Sequence, residues 1–182
     1  MVLDQAALLT AEPKVRFAAL VHDLGKATTP PAEWPSHSGH EERSVSLIEA
    51  LAQRLRLPAD YRELATIVAR YHGIVHRASE LRPNTILEFL ERADAFRRPE
   101  RFAQALLACE ADSRGRTGLE GVPYPQRGYL QAARDAAAAV KPSPEDIAAR
   151  SGAKIAEHLH RRRAMVLAEL REKSGIHGQA TR

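Results

Sequence analysis

The chain has 182 residues and a formal net charge of +4, from 27 lysines and arginines against 23 aspartates and glutamates. No apolar run approaches the roughly 20 residues that cross a bilayer, and the first residues lack the basic-then-apolar order of a secretory signal, so we expect a cytoplasmic protein without a membrane segment. The single cysteine, Cys109, excludes an intrachain disulfide and a cysteine-based metal cluster.

The positive charge is concentrated near the end of the chain. Residues 1–140 contain 18 basic and 18 acidic side chains, whereas residues 141–182 contain nine basic and five acidic ones. A basic helical tail on a neutral body is compatible with phosphate-rich partners such as RNA, although this modest excess does not require one.

Apolar residues at helical spacing occur along the whole chain, and no segment shows the alternation typical of strands. We therefore predict an all-α fold, with one domain over residues 1–102 and a smaller helical region over residues 103–182. Three prolines within residues 26–39 predict an irregular loop there. The predicted helices cover, in order, residues 1–9, 15–24, 41–55, 58–76, 85–96, 99–112, 128–140 and 153–173, and a serine followed by proline at residues 143–144 signals a further helix start.

The string His22-Asp23-Leu24-Gly25-Lys26 lies where an apolar helix runs into a glycine. An adjacent histidine and aspartate offer a neutral nitrogen and an anionic oxygen, which together suit a divalent metal of intermediate softness. Alone the pair is weak evidence, because most such pairs are ordinary surface residues. His40, His72 and Asp94 follow downstream, and the combined pattern resembles the HD superfamily of metal-dependent phosphohydrolases, which have an all-helical scaffold.

The resemblance to the HD superfamily implies that His22, Asp23 and Asp94 bind a divalent metal ion. The ligand set leaves its identity open among Mg, Ni, Mn and other ions. Glu91, three residues before Asp94, is the alternative acid on the same helix. A metal at this place would polarise a phosphate and generate hydroxide from bound water.

The same resemblance implies catalytic roles for Lys26, His40 and His72. Lys26 would place a cation near a phosphate oxygen, and the alternative is a lysine facing the dipole at a helix C-terminus. His40 and His72 would line the same pocket, either near a second metal or as phosphate contacts and proton donors. The alternatives are histidines at a helix start and in the core. His37 and His76 are expected at the surface.

A closer resemblance covers residues 15–140 and concerns the carboxy-terminal part of the bacterial tRNA nucleotidyltransferases that carry an HD domain, the CCA-adding enzymes. It implies a 2',3'-cyclic phosphodiesterase, 2'-nucleotidase and phosphatase linked to tRNA 3'-end processing, with tRNA or nucleotide phosphoesters as partners. The nucleotidyltransferase half normally lies in the same chain. The residues that carry the resemblance are the HD string, Thr29-Pro30-Pro31, Trp34-Pro35, the cluster from His37 to His40 and the run from Glu110 to Gly118.

Two features depart from that family. The chain has no Asp-x-Asp pair and no predicted sheet, so nucleotidyltransferase activity is not expected from it alone. The family's first metal-binding histidine should precede His22, yet residues 1–21 contain no histidine. We therefore expect that the HD domain lacks its first helical turns, either as a fragment or because Met1 is a misassigned start. Two functions stay open: a phosphohydrolase with weakened metal binding, and a catalytically silent tRNA-binding helical module.

Arginines are the predicted RNA contacts, because the guanidinium group binds phosphate through two parallel hydrogen bonds. Such contacts position RNA without reading its sequence. The alternative for the run within residues 161–163 is a solvated helix face. Aromatic residues are scarce around these arginines, so base stacking is not predicted. The predicted contacts are Arg114, Arg116, Arg161, Arg162 and Arg163.

Overall fold

The computed structural model describes residues 1–144, 147 and 152–175, and the regular structure in those residues is entirely helical. This confirms the predicted all-α fold. The helix predicted to start at residues 143–144 lies for the most part outside the described residues. Two short 3-10 helices follow, Leu24–Thr28, which begins two residues before the predicted loop of residues 26–39, and Pro31–Glu33, which lies within it. The α-helices are α1 (Val2–Leu9), α2 (Pro13–Val21), α3 (His40–Leu55), α4 (Ala59–His76), α5 (Pro83–Arg92), α6 (Pro99–Arg114), α7 (Pro125–Ala139) and α8 (Gly152–Lys173).

Prolines mark the first residue of four of these helices, α2, α5, α6 and α7. Proline suits this position because its fixed φ is already helical and its missing N–H would have no partner in the first turn. The helix α3 ends at Leu55, and the next residue, Arg56, adopts a left-handed conformation with φ of 52° and donates its N–H to the last turn. These local signals set where the site-bearing segments begin and end.

The described chain forms two compact units that are not consecutive in sequence. The first consists of Met1–His76 and Glu100–Arg127, and the second of Arg77–Pro99 and the described part of residues 128–182. The predicted domain boundary between residues 102 and 103 stays a prediction. Within the second unit, α5 packs on α8, and its fully buried side chains include Ile86, Leu87, Leu90, Leu130 and Leu167.

In the first unit, α4 packs against both α2 and α3. The side chains between them are apolar and fully buried, so the three helices share one core that fixes their relative register. The ends of these helices carry the polar residues described below. The core residues include Val15, Ala18, Ile48, Leu64 and Val68.

The segment between α2 and α3 is held close to the start of α3. The backbone N–H of Gly25 donates to Ser44 Oγ at 2.8 Å, and a Cβ at Gly25 would lie 2.2 Å from the carbonyl oxygen of His40. Only glycine permits this approach. Arg43 donates to the carbonyl oxygens of Gly25 and Ser38 and to Thr29 Oγ1, at 3.2, 2.7 and 2.9 Å. These contacts hold the segment between α2 and α3 against the first turns of α3.

Among the described residues, no helix combines the length and the apolar character needed to cross a membrane.

Candidate metal centre

Three histidines from three helices share one arrangement. His22 follows the last residue of α2, His40 begins α3 and His72 lies in α4. In each ring Nδ1 lies close to the carbonyl oxygen three residues earlier, at 2.9 Å for His22, 3.1 Å for His40 and 3.0 Å for His72. A carbonyl only accepts, so Nδ1 carries the proton. With Nδ1 protonated, Nε2 is the nitrogen left for a metal, as in metal-bound histidines whose other nitrogen donates to a carbonyl.

The Nε2 atoms of these histidines surround the carboxylate of Asp23. His22 Nε2 lies 3.3 Å from Asp23 Oδ2, and His40 and His72 Nε2 lie 3.2 and 3.6 Å from Asp23 Oδ1. His40 Nε2 is also 3.3 Å from His72 Nε2. Atoms that bind one ion at about 2.0–2.2 Å, at ordinary coordination angles, are about 2.8–3.6 Å apart. The cluster thus has the spacing of a metal ligand set.

Two atoms of this cluster are buried without a hydrogen-bond partner, His22 Nε2 and Asp23 Oδ1. Other polar atoms lie within about 3.2–3.6 Å of these two, but none of these contacts has the geometry of a hydrogen bond. Buried polar atoms are almost always satisfied, and a cation would satisfy both of these. One atom each from His22, Asp23 and His72 lie within 4.8 Å of one another, so these residues fit a divalent metal.

A second carboxylate, that of Asp112 in α6, contacts the same nitrogen of His22 as Asp23 does. Its Oδ1 lies 3.5 Å from His22 Nε2, and its Oδ2 lies 2.8 Å from Nε2 of His76, the last residue of α4. His76 Nδ1 in turn lies 2.8 Å from the hydroxyl of Tyr124. The buried cluster therefore contains two carboxylates as well as the histidines, a mixed nitrogen and oxygen set.

The charges of these groups are coupled. Burial alone would lower the pKa of His22, but attraction by Asp112 and Asp23 outweighs it and raises the pKa to about 10. Burial would raise the pKa of Asp112, but His22 and His76 hold it well below its usual range, and His22 and Lys26 do the same for Asp23. Both carboxylates are thus anions at neutral pH, as metal ligands must be. Burial and the charge of His22 lower the pKa of His72, which keeps that ring neutral.

Two cationic side chains flank the cluster. Lys26 Nζ lies 2.6 Å from Asp23 Oδ2, with the side chain 40% exposed, and Arg116 lies 3.9 Å from Asp112 Oδ2, with the side chain 63% exposed. Each cation sits at the solvent side of one carboxylate. An anionic group that approaches the cluster from solvent would therefore meet positive charge first.

The HD domain family matches residues 1–113. The chain belongs to the HD domain family. The His22-Asp23 pair and the candidate metal ligands described above lie within the matched residues. No solved structure matches this chain significantly.

Curated relatives of this HD domain are bacterial proteins named Multifunctional CCA protein. The one from Thioalkalivibrio sulfidiphilus is 55% identical over 175 residues, which is 96% of this chain and 43% of the relative. The one from Nitrosococcus oceani is 59% identical over 162 residues, 89% of this chain and 40% of the relative. The predicted resemblance to CCA-adding enzymes is confirmed. The chain spans about two fifths of the length of these relatives.

The structure brings most of the predicted site residues of the HD domain together in the first unit, whereas Asp94 belongs to the second unit. Asp94 follows α5 in the second unit, where its carboxylate lies 3.7 Å from Arg97 and 3.6 Å from Arg98. The alternative acid Glu91 lies 3.3 Å from His160. The distant acid that lies beside His22 in the first unit is Asp112, and the role of Asp94 as a metal ligand stays a prediction. The predicted residues that do lie together are His22, Asp23, Lys26, His40 and His72.

Sequence reasoning missed the roles of Asp112 and His76. Asp112 lies in the run from Glu110 to Gly118 that carried the family resemblance, so that run held the signal. His76 was expected at the surface, but its side chain is only 20% exposed and both ring nitrogens have partners. It lies one turn after His72 because α4 continues through Gly73.

The predicted RNA-binding arginines differ in their surroundings, and their role in RNA binding stays a prediction. Arg114 donates to buried Glu110 and to the carbonyl oxygen of Glu120, while Arg116 is exposed. The three consecutive arginines in α8 have three different contacts. Arg161 is exposed and pairs with Glu157, Arg162 donates to the carbonyl oxygen of Lys141, and the guanidinium of Arg163 lies 4.7 Å from the ring centre of Phe96.

Proposed function

We propose that this HD domain hydrolyses phosphoesters of nucleotides or RNA ends, at a divalent metal held by His22, Asp23 and Asp112 with His72 and His40 beside them. The observation that carries the proposal is the pair of buried atoms without partners, His22 Nε2 and Asp23 Oδ1, with Nε2 of His40 and of His72 at 3.2 and 3.6 Å from Asp23 Oδ1. When bound, such a metal polarises a phosphate and lowers the pKa of a bound water. We propose Asp112 in place of Asp94 because its carboxylate contacts His22.

The chain's own residues divide the remaining tasks. Lys26 and Arg116 lie on the exposed side of the two carboxylates, so they are placed to hold the phosphate by charge. His40 has its Nδ1 proton committed to the carbonyl of His37. Its Nε2 therefore suits a metal ligand or a proton acceptor better than the proton donor suggested by the sequence alone.

The relatives support the substrate class. They are named Multifunctional CCA proteins, and we propose that this chain acts as the HD part of a CCA-adding protein, on 2',3'-cyclic or terminal phosphates at tRNA 3' ends in the cytoplasm. The nucleotidyltransferase activity would belong to the part of such proteins that this chain does not match. The isolated chain is then expected to act on small cyclic nucleotides without adding CCA.

Hydrolysis of 2',3'-cyclic AMP by the 182-residue chain tests this proposal. The chain is assayed with Mg²⁺, Mn²⁺ or Ni²⁺ after treatment with a chelator, next to Asp23→Asn and the control Asp60→Asn. Asp60 is an exposed acid of the same unit that pairs with Lys14. We expect metal-dependent turnover that Asp23→Asn abolishes and Asp60→Asn leaves unchanged. Turnover that is absent with every metal, while tRNA binding persists and weakens with salt, would instead favour the silent tRNA-binding module.

A further inference from the structure

His76 lies behind Asp112 and has a partner on each ring nitrogen. Its Nε2 is 2.8 Å from Asp112 Oδ2 and its Nδ1 is 2.8 Å from the hydroxyl of Tyr124. The carbonyl of His76 also accepts a hydrogen bond from Gln126 Nε2 at 3.2 Å. With both nitrogens and its backbone engaged, the His76 ring is held in a single orientation.

The two oxygens of Asp112 face different ways. Oδ1 is directed to His22 Nε2 at 3.5 Å, inside the cluster, whereas Oδ2 contacts His76 at 2.8 Å and Arg116 at 3.9 Å. The stronger contact is the one to His76, since the Arg116 side chain is mostly exposed. The contact between Oδ2 and His76 therefore fixes the orientation of the Asp112 carboxylate. Oδ1 faces the cluster and is the oxygen that can bind an ion.

The chemistry of the three groups Tyr124, His76 and Asp112 shows which atom of each contact carries the hydrogen. An ionised carboxylate only accepts, so His76 Nε2 carries the proton and donates to Asp112 Oδ2. In the neutral ring Nδ1 is then an acceptor, and the Tyr124 hydroxyl is the donor that meets it. Every group in the sequence from Tyr124 to His76 to Asp112 is satisfied in this arrangement.

We propose that His76 and Tyr124 are positioning residues that hold Asp112 for metal binding by the HD domain. This inference rests on the proposed function, since it takes Asp112 as a ligand. His76 acts through Asp112 and does not itself bind the ion, because both of its nitrogens are occupied by protein partners. Partners of this kind behind a ligand keep its orientation fixed before the metal arrives, and losing them weakens metal binding about 10–100-fold.

The test is the affinity of the 182-residue chain for Mn²⁺, measured by isothermal titration calorimetry on variants whose helix content matches the wild type. His76→Phe keeps a ring but removes both nitrogens, and we expect it to bind Mn²⁺ about 10–100-fold more weakly. His76→Gln keeps a donor near the place of Nε2 and should recover most of that loss. Tyr124→Phe removes only a hydroxyl and should weaken binding less than His76→Phe does. The control His160→Gln, in the second unit, should bind as wild type.

Each outcome separates the positioning role from the others. Wild-type affinity in His76→Phe overturns the inference, and so does a loss in His76→Gln as large as that in His76→Phe, since a glutamine that fails to substitute would mean that the ring binds the ion directly. If Tyr124→Phe binds Mn²⁺ with wild-type affinity, the positioning role of Tyr124 is overturned. A wild-type chain without Asp23-dependent Mn²⁺ binding would defeat the proposed function itself. Binding without turnover would defeat only the hydrolase activity and leave the positioning role intact.

Discussion

Asp112 Oδ1 lies 3.5 Å from Nε2 of His22, although the two residues belong to different segments of the first unit. This contact places an acid from α6 at the end of α2, beside the ring nitrogen that Asp23 also contacts. His22 is thereby held between two carboxylates, and their attraction raises its pKa to about 10. A divalent cation in this position would take over the role of the proton on His22, because a metal ligand must be deprotonated.

Asp112 and Asp94 form a matched pair for the first prediction. Asp112→Asn should weaken Mn²⁺ binding at least about tenfold, since it removes an anionic oxygen beside His22. Asp94→Asn should leave Mn²⁺ binding unchanged, because the Asp94 carboxylate pairs with the partly or largely exposed Arg97 and Arg98. Exposed ion pairs contribute only about 0–1 kcal/mol to the free energy of unfolding, so this variant should lose little stability. Calorimetric titration of both variants checks this. The reverse order of affinities would restore Asp94 as the ligand.

Gly25 gives the second prediction. A Cβ on this residue would lie 2.2 Å from the carbonyl oxygen of His40 and 2.7 Å from the backbone nitrogen of Ser44. Backbone atoms cannot yield without moving the start of α3, so Gly25→Ala should lower the free energy of unfolding by about 1–3 kcal/mol or more. Because His40 begins α3, Mn²⁺ binding should weaken as well. Urea unfolding followed by circular dichroism measures the first effect.

The control for Gly25 is a glycine with open space around it. Gly128 lies inside α7, and a Cβ there would meet nothing within 4 Å. Gly128→Ala should therefore raise the free energy of unfolding by about 0.5–1 kcal/mol, because alanine is the better helix former. If both variants shift stability in the same direction, the close approach at Gly25 does not explain its effect.

The sequence predicted the helices well because their signals are local. Apolar spacing depends only on nearby residues, so α2, α5, α6 and α7 were expected close to where they lie. The proline that begins α7, Pro125, was not used as a start signal, and that helix begins three residues before its predicted start at residue 128. The same holds for His22 and Asp23, which are adjacent in sequence. His40 and His72 were placed in the pocket through the family resemblance alone.

The distant acid was harder to predict because its side-chain direction depends on how helices pack. Asp94 and Asp112 both follow the HD string at a distance that a sequence pattern allows. The residue Asp94 adopts a positive φ of 55° just after α5, whereas Asp112 lies on the buried face of α6 with Cys109. No local signal distinguishes these cases. His76 was missed for a similar reason, since its contact with Asp112 depends on α4 continuing through Gly73.

Arg114 and Arg116 give the third prediction, because Arg114 forms a close contact with its buried carboxylate, whereas Arg116 lies 3.9 Å from Asp112 and is mostly exposed. Arg114 donates to Glu110, whose side chain is 10% exposed, at 3.0 Å. Arg114→Ala should lower the free energy of unfolding by about 1–3 kcal/mol, as expected for loss of a charged hydrogen bond. Arg116→Ala should leave stability unchanged and weaken the binding of 2',3'-cyclic AMP, raising KM more than it lowers kcat. Equal loss of stability in both variants would contradict this division.

Cys109 gives the last prediction, which reports on the whole first unit. The thiol is 1% exposed, and burial together with the nearby charge of Asp112 raises its pKa, so the reactive thiolate is scarce in the folded state. A thiol reagent at pH 8 should therefore label the native chain at least about a thousandfold more slowly than the urea-unfolded chain, because labelling needs unfolding. Saturating Mn²⁺ should slow labelling further, by about 100-fold at 100 times its Kd. Asp23→Asn should remove that additional protection. Rapid labelling of the native chain would mean that the α6 core opens locally, and protection by Mn²⁺ that survives Asp23→Asn would place the bound ion outside the cluster.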